Sequence, residues 1–224
     1  MASSVEPIQR SPSRLADEAY ERLVDALVQG RVGPGDRLIQ DRLAEDLDVS
    51  RTPVRDALLR LKEEGVIEPA GRRGYVVRRL SDRDVRDLYG ARDAVEGHAA
   101  AVVAELGASA VDHVWAALEA AGAREHRSAR KAFDANRAVH RAVVEATGNA
   151  YLLTLFDQIW GRSVAALLAY RDFYTGYSRD EFVNEHRELV EELATGDPVR
   201  ARQAMLENIA LGLAKTTVAP AGTR

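Results

Sequence analysis

The sequence predicts a mainly α-helical protein in two parts: a small helical domain with a β-hairpin, then a larger all-helical bundle. Three observations lead to this prediction. Apolar residues recur at helical spacing over most of the chain. Turn residues cluster around Pro34 and Gly35 in the first part. From Ser81 onward, helix-capping signals repeat and no further run of β-forming residues is found.

Composition limits the class of protein. The 224 residues contain no cysteine, which excludes disulfides and thiolate metal sites and favours an intracellular, cytoplasmic location. No apolar run is long enough to span a bilayer, so no membrane association is predicted. The net charge is -4, yet residues 51–79 hold eight Lys and Arg against four Asp and Glu. One basic segment therefore belongs to an otherwise mildly acidic protein.

The first domain is predicted over residues 13–79, after a loose tail at 1–12. A helix over 13–30 is followed by the turn "VGPGDRL" and a short helix near 40–47. Ser50 is the predicted N-cap of the next helix, with its side chain accepting a bond from a first-turn amide. Pro53 lies in that first turn, where a missing N–H costs nothing, and Gly65 ends the helix.

A small hairpin with a basic tip follows this helix. Val66 and Ile67 lie on one side of the segment "GRRG", and Tyr75 to Val77 lie on the other. β-branched and aromatic residues that flank a glycine-containing turn are typical of a hairpin.

The second domain is predicted over residues 81–217, with a tail at 218–224. "SDRD" and "SRDE" are capping boxes that begin helices at about 82 and 179, and Asp197-Pro198 begins the last helix. The predicted helices span 82–105, 109–121, 127–146, 149–172, 179–194 and 198–216.

The helix after Ser50 carries arginines on one face. Arg51, Thr52 and Arg55 share a side, whereas Val54, Ala57, Leu58 and Leu61 point elsewhere. Arginine forks suit phosphates and guanine edges. With the short helix before it, this helix forms a helix-turn-helix whose second member would lie in the major groove of DNA. The alternative is that the arginines form only a solvated face.

Motifs in both domains carry a family resemblance. "VGPGDRLIQDRLAEDLDVSRTPVRDALLRLKEEGVIEPAGRRGYVV" resembles the winged helix-turn-helix of GntR-family bacterial transcription regulators. "YGARDAVEGHAAAVVA", "NRAVHRAVVEATGN" and "EHRELVEELATGDPVRARQAML" resemble the all-helical, FCD-type ligand-sensing domain of the FadR-type subfamily. The resemblance implies a homodimeric regulator, most often a repressor, that binds double-stranded DNA at a palindromic operator. It also implies a small carboxylate effector that alters operator affinity.

The resemblance implies a set of DNA-contacting residues in the first domain. They are Arg42, Ser50, Arg51, Thr52, Pro53, Arg55, Gly71, Arg72, Arg73 and Gly74. The chain departs from the family pattern at one position. Where some relatives place a DNA-contacting arginine in the first short helix, this chain has Asp41, with Arg42 beside it.

The resemblance also implies an effector site in the second domain, with Arg92, Asn136, His140, His186 and Asn208 as its residues. Asn136 and His140 are four residues apart and share one helix face. In the family, the matching positions bind a divalent metal such as zinc, and here Asn136, His140 and His186 are the candidate ligands. Asn208 replaces the expected third histidine, and a neutral amide is a poor zinc partner. The alternative is a polar cavity of two histidines and two asparagines.

Two further readings stay open. Arg92 meets an anionic ligand, or it pairs with Glu96 four residues on. The helical domain senses an effector, or its pocket is vestigial or structural. A metal-dependent hydrolase using His140 and His186 is a remote alternative, because no HExxH-like pairing, nucleophile elbow or P-loop is present. The sequence therefore predicts a regulator and not an enzyme.

Overall fold

The computed structural model describes residues 14–71, 74–123, 129–169 and 178–217. The chain divides after Arg78 into two compact units. We call them the N-terminal unit and the C-terminal unit. The predicted tails, together with Arg72 and Arg73, lie outside the described residues.

The N-terminal unit consists of short helices and strands. In chain order its described elements are α1 (Arg14–Val28), β1 (Arg37–Ile39), α2 (Gln40–Asp46), α3 (Arg51–Glu63), β2 (Ile67–Pro69) and β3 (Gly74–Val77). The mainly helical fold class and the helix-turn-helix of α2 and α3 are as predicted.

The strands form one antiparallel sheet in the order β1-β3-β2. Leu38 of β1 pairs with Tyr75, and Ile67 of β2 pairs with Val77. The predicted hairpin corresponds to β2 and β3. Strand β1 was not predicted, because its three residues follow a turn and are too short to show a period. It adds a third strand on the far side of β3.

Helix α1 packs against α3 and supports its C-terminal end. The hydroxyl of Tyr20 donates to the carboxylate of Glu64, with oxygen–oxygen distances of 2.8 and 3.0 Å. The guanidinium carbon of Arg60 lies 3.6 Å from the centre of the Tyr20 ring. Gly65 then ends the helix at φ 69°, a conformation that a residue without Cβ adopts at little cost.

The described elements of the C-terminal unit are all helices. Its helices are α4 (Asp82–Leu106), α5 (Ala108–Gly122), α6 (Ala129–Ala146), α7 (Ala150–Ala169), α8 (Arg179–Ala194) and α9 (Pro198–Thr217). They agree with the predicted spans to within one residue, apart from residues 127–128 and 170–172 of those spans, which lie outside the described residues.

The predicted helix starts are confirmed at atomic level. Ser81 and Asp84 exchange side-chain and backbone hydrogen bonds in a capping box, and Ser178 and Glu181 do the same. At α9, the side chain of Asp197 accepts from the amides of the second and third helical residues. These caps fix where α4, α8 and α9 begin.

Helix α9 lies along α4, and Gly97 of α4 faces α9. A Cβ atom at Gly97 would lie 3.2 Å from Cδ2 of Leu206, which is tighter than ordinary contact. The small residue therefore lets the two helices pack closely. In the described part of the chain, no helix has the length and apolar character needed to cross a membrane.

Candidate DNA-binding surface and effector site

Helix α3 has the two faces that its sequence predicts. Arg51, Thr52 and Arg55 are exposed. The opposite face is buried and holds Val54, Ala57, Leu58 and Leu61, each at most 1% exposed. The exposed face therefore carries the arginines without contributing to the core.

The start of α3 differs from the prediction in one bond. Ser50 is the N-cap in an extended conformation, but its side chain makes no capping hydrogen bond. The reason lies in Pro53, the third helical residue, because the amide that an N-cap oxygen often accepts from is missing there. Pro53 is itself buried and shapes the helix start, and the DNA contact that the resemblance implies for it stays a prediction.

The other predicted DNA contacts lie around this helix. Arg42 is exposed on α2, and Gly71 is exposed just after β2 with φ 75°. Gly74 is the first residue of β3. Arg72 and Arg73 are outside the described residues, so the basic tip of the hairpin stays a prediction.

Both arginines of the α3 face have acidic neighbours. Nε of Arg51 lies 3.0 Å from Oδ1 of Asp41 on α2. Nη2 of Arg55 lies 3.3 Å from Oδ1 of Asp56, its neighbour in the chain. All four side chains are more than 40% exposed, so water screens both pairs and neither contributes much to folding.

In the C-terminal unit, a buried carboxylate organises the predicted effector site. Glu96 of α4 is 1% exposed and accepts four hydrogen bonds. Arg92 donates from Nε at 2.8 Å and from Nη2 at 3.3 Å. Nε1 of Trp160 on α7 donates at 2.9 Å, and Nδ1 of His140 on α6 lies 2.5 Å away. We call Arg92, Glu96, His140 and Trp160 the Glu96 cluster.

Glu96 is ionised within this cluster. Burial alone would raise the pKa of its carboxyl, but Arg92 and His140 outweigh burial and lower the pKa to about 2. An ionised carboxylate only accepts, so the Nδ1 atom of His140 carries a hydrogen. The Glu96 cluster thereby fixes which nitrogen of His140 donates.

Arg92 is enclosed in the cluster and does not lie at an open rim. It is 5% exposed, and its guanidinium carbon lies 4.2 Å from the Trp160 ring centre. The predicted pairing of Arg92 with Glu96 is confirmed. An effector contact by Arg92 stays a prediction, although Glu96 already balances its charge.

The second nitrogen of His140 is the unsatisfied atom of this site. Its Nε2 is buried and has no hydrogen-bond partner among the described residues. The His140 ring meets the His186 ring edge to face, with centroids 5.5 Å apart. A buried polar atom without a partner is costly, so this position suits a polar group from outside the protein.

His186 and Asn136 pair with each other, and Asn208 pairs with the backbone next to His186. Nδ1 of His186 donates to the carbonyl of Phe182 at 2.8 Å. Its Nε2 lies 2.8 Å from Oδ1 of Asn136. The Asn208 amide donates to the backbone carbonyl of Glu185 at 3.4 Å. Among the described hydrogen bonds, the predicted His–Asn pairing is therefore found between His186 and Asn136.

These donors do not fit a tightly held zinc ion. Within the described ranges, no three His, Cys, Asp or Glu side chains are grouped so as to hold a metal. Two imidazoles and the amide of Asn136 remain, because the Glu96 carboxylate faces Nδ1 of His140. Zinc prefers three or more histidine, thiolate or carboxylate ligands.

Sequence reasoning identified the histidines but not the residues that orient them. The sequence indicates Glu96 only as a possible partner of Arg92, and nothing in it connects Trp160 with the site. The four-residue spacing of Arg92 and Glu96 was the available signal. The contacts with α6 and α7 depend on how the helices pack, which spacing within one helix does not report.

Comparisons with known proteins cover both units. The family model "Bacterial regulatory proteins, gntR family" matches residues 15–77, and the FCD domain model matches residues 87–211. The probable D-xylose utilization operon transcriptional repressor of Paenarthrobacter nicotinovorans is 30% identical over 203 residues, covering 90% of this chain and 88% of that protein. The Uxu operon transcriptional regulator of Escherichia coli is 29% identical over 226 residues, covering 89% and 86%. The structure of E. coli McbR/YncC is similar with a TM-score of 0.70 and 24% identity, covering 91% and 97%.

Proposed function

The chain belongs to the GntR family of bacterial regulatory proteins and carries an FCD domain, and from this premise we propose how it recognises DNA and responds to a small molecule. It is a DNA-binding transcriptional regulator. The relatives it matches are transcriptional regulators and not enzymes.

We propose that the protein is a cytoplasmic homodimeric repressor that binds a palindromic operator. Each copy presents the start of α3 to the major groove, with Arg51, Thr52 and Arg55 towards the bases and phosphates. The exposed, arginine-bearing face of α3 supports this proposal. A similar protein of P. nicotinovorans is named a probable repressor.

We propose that a small organic acid binds at the Glu96 cluster and alters operator affinity. The observation that carries this proposal is the buried Nε2 atom of His140, which lacks a partner in the described protein. A ligand oxygen or hydroxyl at this point would satisfy it. The contact would be buried, where polar interactions are stronger than in water.

The neighbouring His186 adds a second imidazole to the proposed ligand site. Its Nδ1 donates to the Phe182 carbonyl, and its Nε2 lies 2.8 Å from Oδ1 of Asn136. An amide can present either its oxygen or its nitrogen, so Asn136 can pair with Nε2 whether that atom donates or accepts. Both ring nitrogens of His186 therefore have partners in the protein, whereas Nε2 of His140 has none among the described residues.

In this proposal the acid binds directly to the protein, and any divalent metal binds weakly. Asn136, His140 and His186 provide two strong donors and one weak donor, which is a poor zinc set. A structural role for the cluster, without any effector, is the alternative.

A titration of operator DNA tests the proposal. Fluorescence anisotropy would measure the affinity of the full chain for its operator alone and with lactate, malate or gluconate. We expect at least one acid to shift both the operator affinity and the melting temperature of the protein. If a broad panel of acids changes neither, the cluster is structural, and regulation by an acid is excluded.

A further inference from the structure

Two contacts join the first residues of α2 to the first residue of α3. Oδ1 of Asp41 lies 3.0 Å from Nε of Arg51. Nε2 of the preceding Gln40 donates to the backbone carbonyl of Arg51, also at 3.0 Å. Helix α2 therefore holds both the main chain and the side chain of Arg51. The two contacts favour one direction of the Arg51 side chain before any DNA is present.

We propose that Asp41 is a positioning residue that directs Arg51 at one base pair of the operator. The inference rests on the proposed base contact of Arg51 and adds a residue that acts through it. The carboxylate occupies Nε of the guanidinium. The two terminal nitrogens remain available, and that end of the fork can donate to O6 and N7 of a guanine.

Positioning improves discrimination between bases for a physical reason. A long arginine side chain loses rotamer freedom when it binds, and a chain that is already held loses less. A held fork also fits only one pattern of acceptors, whereas a mobile one can turn towards a phosphate. Asp41 thus favours base reading by Arg51 over non-specific contact.

Arg55 provides a contrast within the same helix. Its partner Asp56 is the next residue in the chain, and neighbours on a helix do not face one another. Nε and Nη2 of Arg55 lie 3.4 and 3.3 Å from Oδ1 of Asp56, longer than a good hydrogen bond. Of the two arginines, Arg51 is the one held from a second helix.

The charge of Asp41 has a separate effect that the experiment must distinguish. A carboxylate near the groove repels phosphates and lowers affinity for every sequence. Glu45 lies on α2 and lines the same depression between α2 and α3 as Asp41. It is exposed and makes no ion pair with Arg51. Glu45→Gln is therefore a matched control for charge alone.

The test compares variants of the full chain on a defined operator. Selection from random duplexes by the unaltered protein would give the half-site, and Arg51→Ala would identify the base pair at which discrimination depends on Arg51. Anisotropy titrations would then compare duplexes altered at that pair, duplexes altered elsewhere in the half-site, and unrelated DNA. Urea unfolding would confirm that each variant is folded.

For Asp41→Asn we expect discrimination at the Arg51 base pair to fall by about five-fold or more, with discrimination at other positions unchanged. Binding to unrelated DNA should become tighter. Asp41→Glu keeps the carboxylate and should recover part of the lost discrimination. Glu45→Gln should tighten binding to all duplexes equally and leave discrimination unaltered.

Two outcomes separate the possible failures. If Arg51→Ala weakens discrimination but Asp41→Asn behaves like Glu45→Gln, Asp41 acts through charge alone and the positioning role is overturned. If Arg51→Ala changes discrimination at no base pair, the proposed base contact of Arg51 fails, and the inference fails with it.

Discussion

Nδ1 of His140 donates to the ionised carboxylate of Glu96 across a distance of 2.5 Å between two helices of the C-terminal unit. Because Nδ1 carries the hydrogen, the neutral ring presents a lone pair at Nε2, and the protonated ring presents an N–H there. Glu96 therefore determines what His140 offers to a ligand. Glu96, which was not among the predicted site residues, thus controls the chemistry of His140, which was among them.

The first prediction concerns the stability that Glu96 contributes. Glu96→Gln should lower the free energy of unfolding by about 3–5 kcal/mol, because it leaves the buried Arg92 charge without its carboxylate. Arg92→Ala should destabilise the fold for the converse reason. Glu105→Gln on the exposed side of α4 is the control and should change little. Urea unfolding at pH 7 measures all three.

The difference in unfolding free energy between wild type and Glu96→Gln should depend on pH. The pKa of Glu96 falls on folding from its ordinary 4.5 to about 2, after burial is outweighed by Arg92 and His140. The stabilisation that ionised Glu96 gives to the fold is therefore complete above about pH 4.5 and declines as the pH falls towards 2. The stability gap between wild type and Glu96→Gln should narrow over that range. A gap of constant size would contradict the assignment.

The second prediction concerns DNA binding. Replacing Arg51 or Arg55 with alanine should weaken operator binding by about 1–3 kcal/mol each, because an exposed base-reading fork is lost. The free energy of unfolding should stay the same, since neither side chain belongs to the core. Arg187→Ala, at an exposed position of α8, serves as the control. Full operator binding by a variant with both Arg51→Ala and Arg55→Ala would exclude this face of α3 as the DNA-binding surface.

The third prediction concerns the effector. His140→Phe removes both ring nitrogens, including the partnerless Nε2, so the response of operator binding to an organic acid should be lost. Operator affinity without the acid should be retained. His113→Phe alters an exposed histidine of α5 and should leave the response intact. The experiment is an anisotropy titration with and without the acid; an unchanged response in His140→Phe would place the ligand elsewhere.

The fourth prediction concerns metal. Asn208→His should raise zinc affinity by about tenfold or more, because an imidazole replaces a neutral amide near His186. Asn208→Gln keeps the amide and should not raise it. Isothermal titration with zinc chloride compares both with the unaltered protein. Tight zinc binding by the unaltered protein would show that the donor set is stronger than its chemistry suggests.

The fifth prediction concerns assembly. The protein should be a homodimer at micromolar concentration, because one recognition helix reads too few base pairs for useful specificity and a two-fold dimer matches a palindrome. Light scattering measures the mass directly. A monomer both alone and with operator DNA would contradict the proposal.

Features fixed by neighbouring residues could be predicted from the sequence. Ser81 with Asp84, and Ser178 with Glu181, lie three residues apart, and their side chains cap the helices as expected. The exposed and buried faces of α3 also follow from helical spacing. These features depend on local geometry, which a single sequence contains.

Features that depend on distant residues could not be predicted in the same way. The role of Glu96 requires His140 and Trp160, which are 44 and 64 residues away and belong to other helices. Strand β1 requires its partner β3, and its own three residues show no pattern. The missing Ser50 cap is a local feature that could have been predicted. Pro53 is visible in the sequence, and proline has no backbone N–H to donate to the cap.

The separation of α3 into a packed face and a reading face has a consequence for evolution. The side chains at positions 51, 52 and 55 are exposed, so substitutions there do not disturb the core. Val54 and Leu58, by contrast, are completely buried. After gene duplication, a copy is free to drift towards a new target promoter while its scaffold stays intact. A library randomised at the three exposed positions should therefore contain mostly folded members, and selection among them should act on target choice alone.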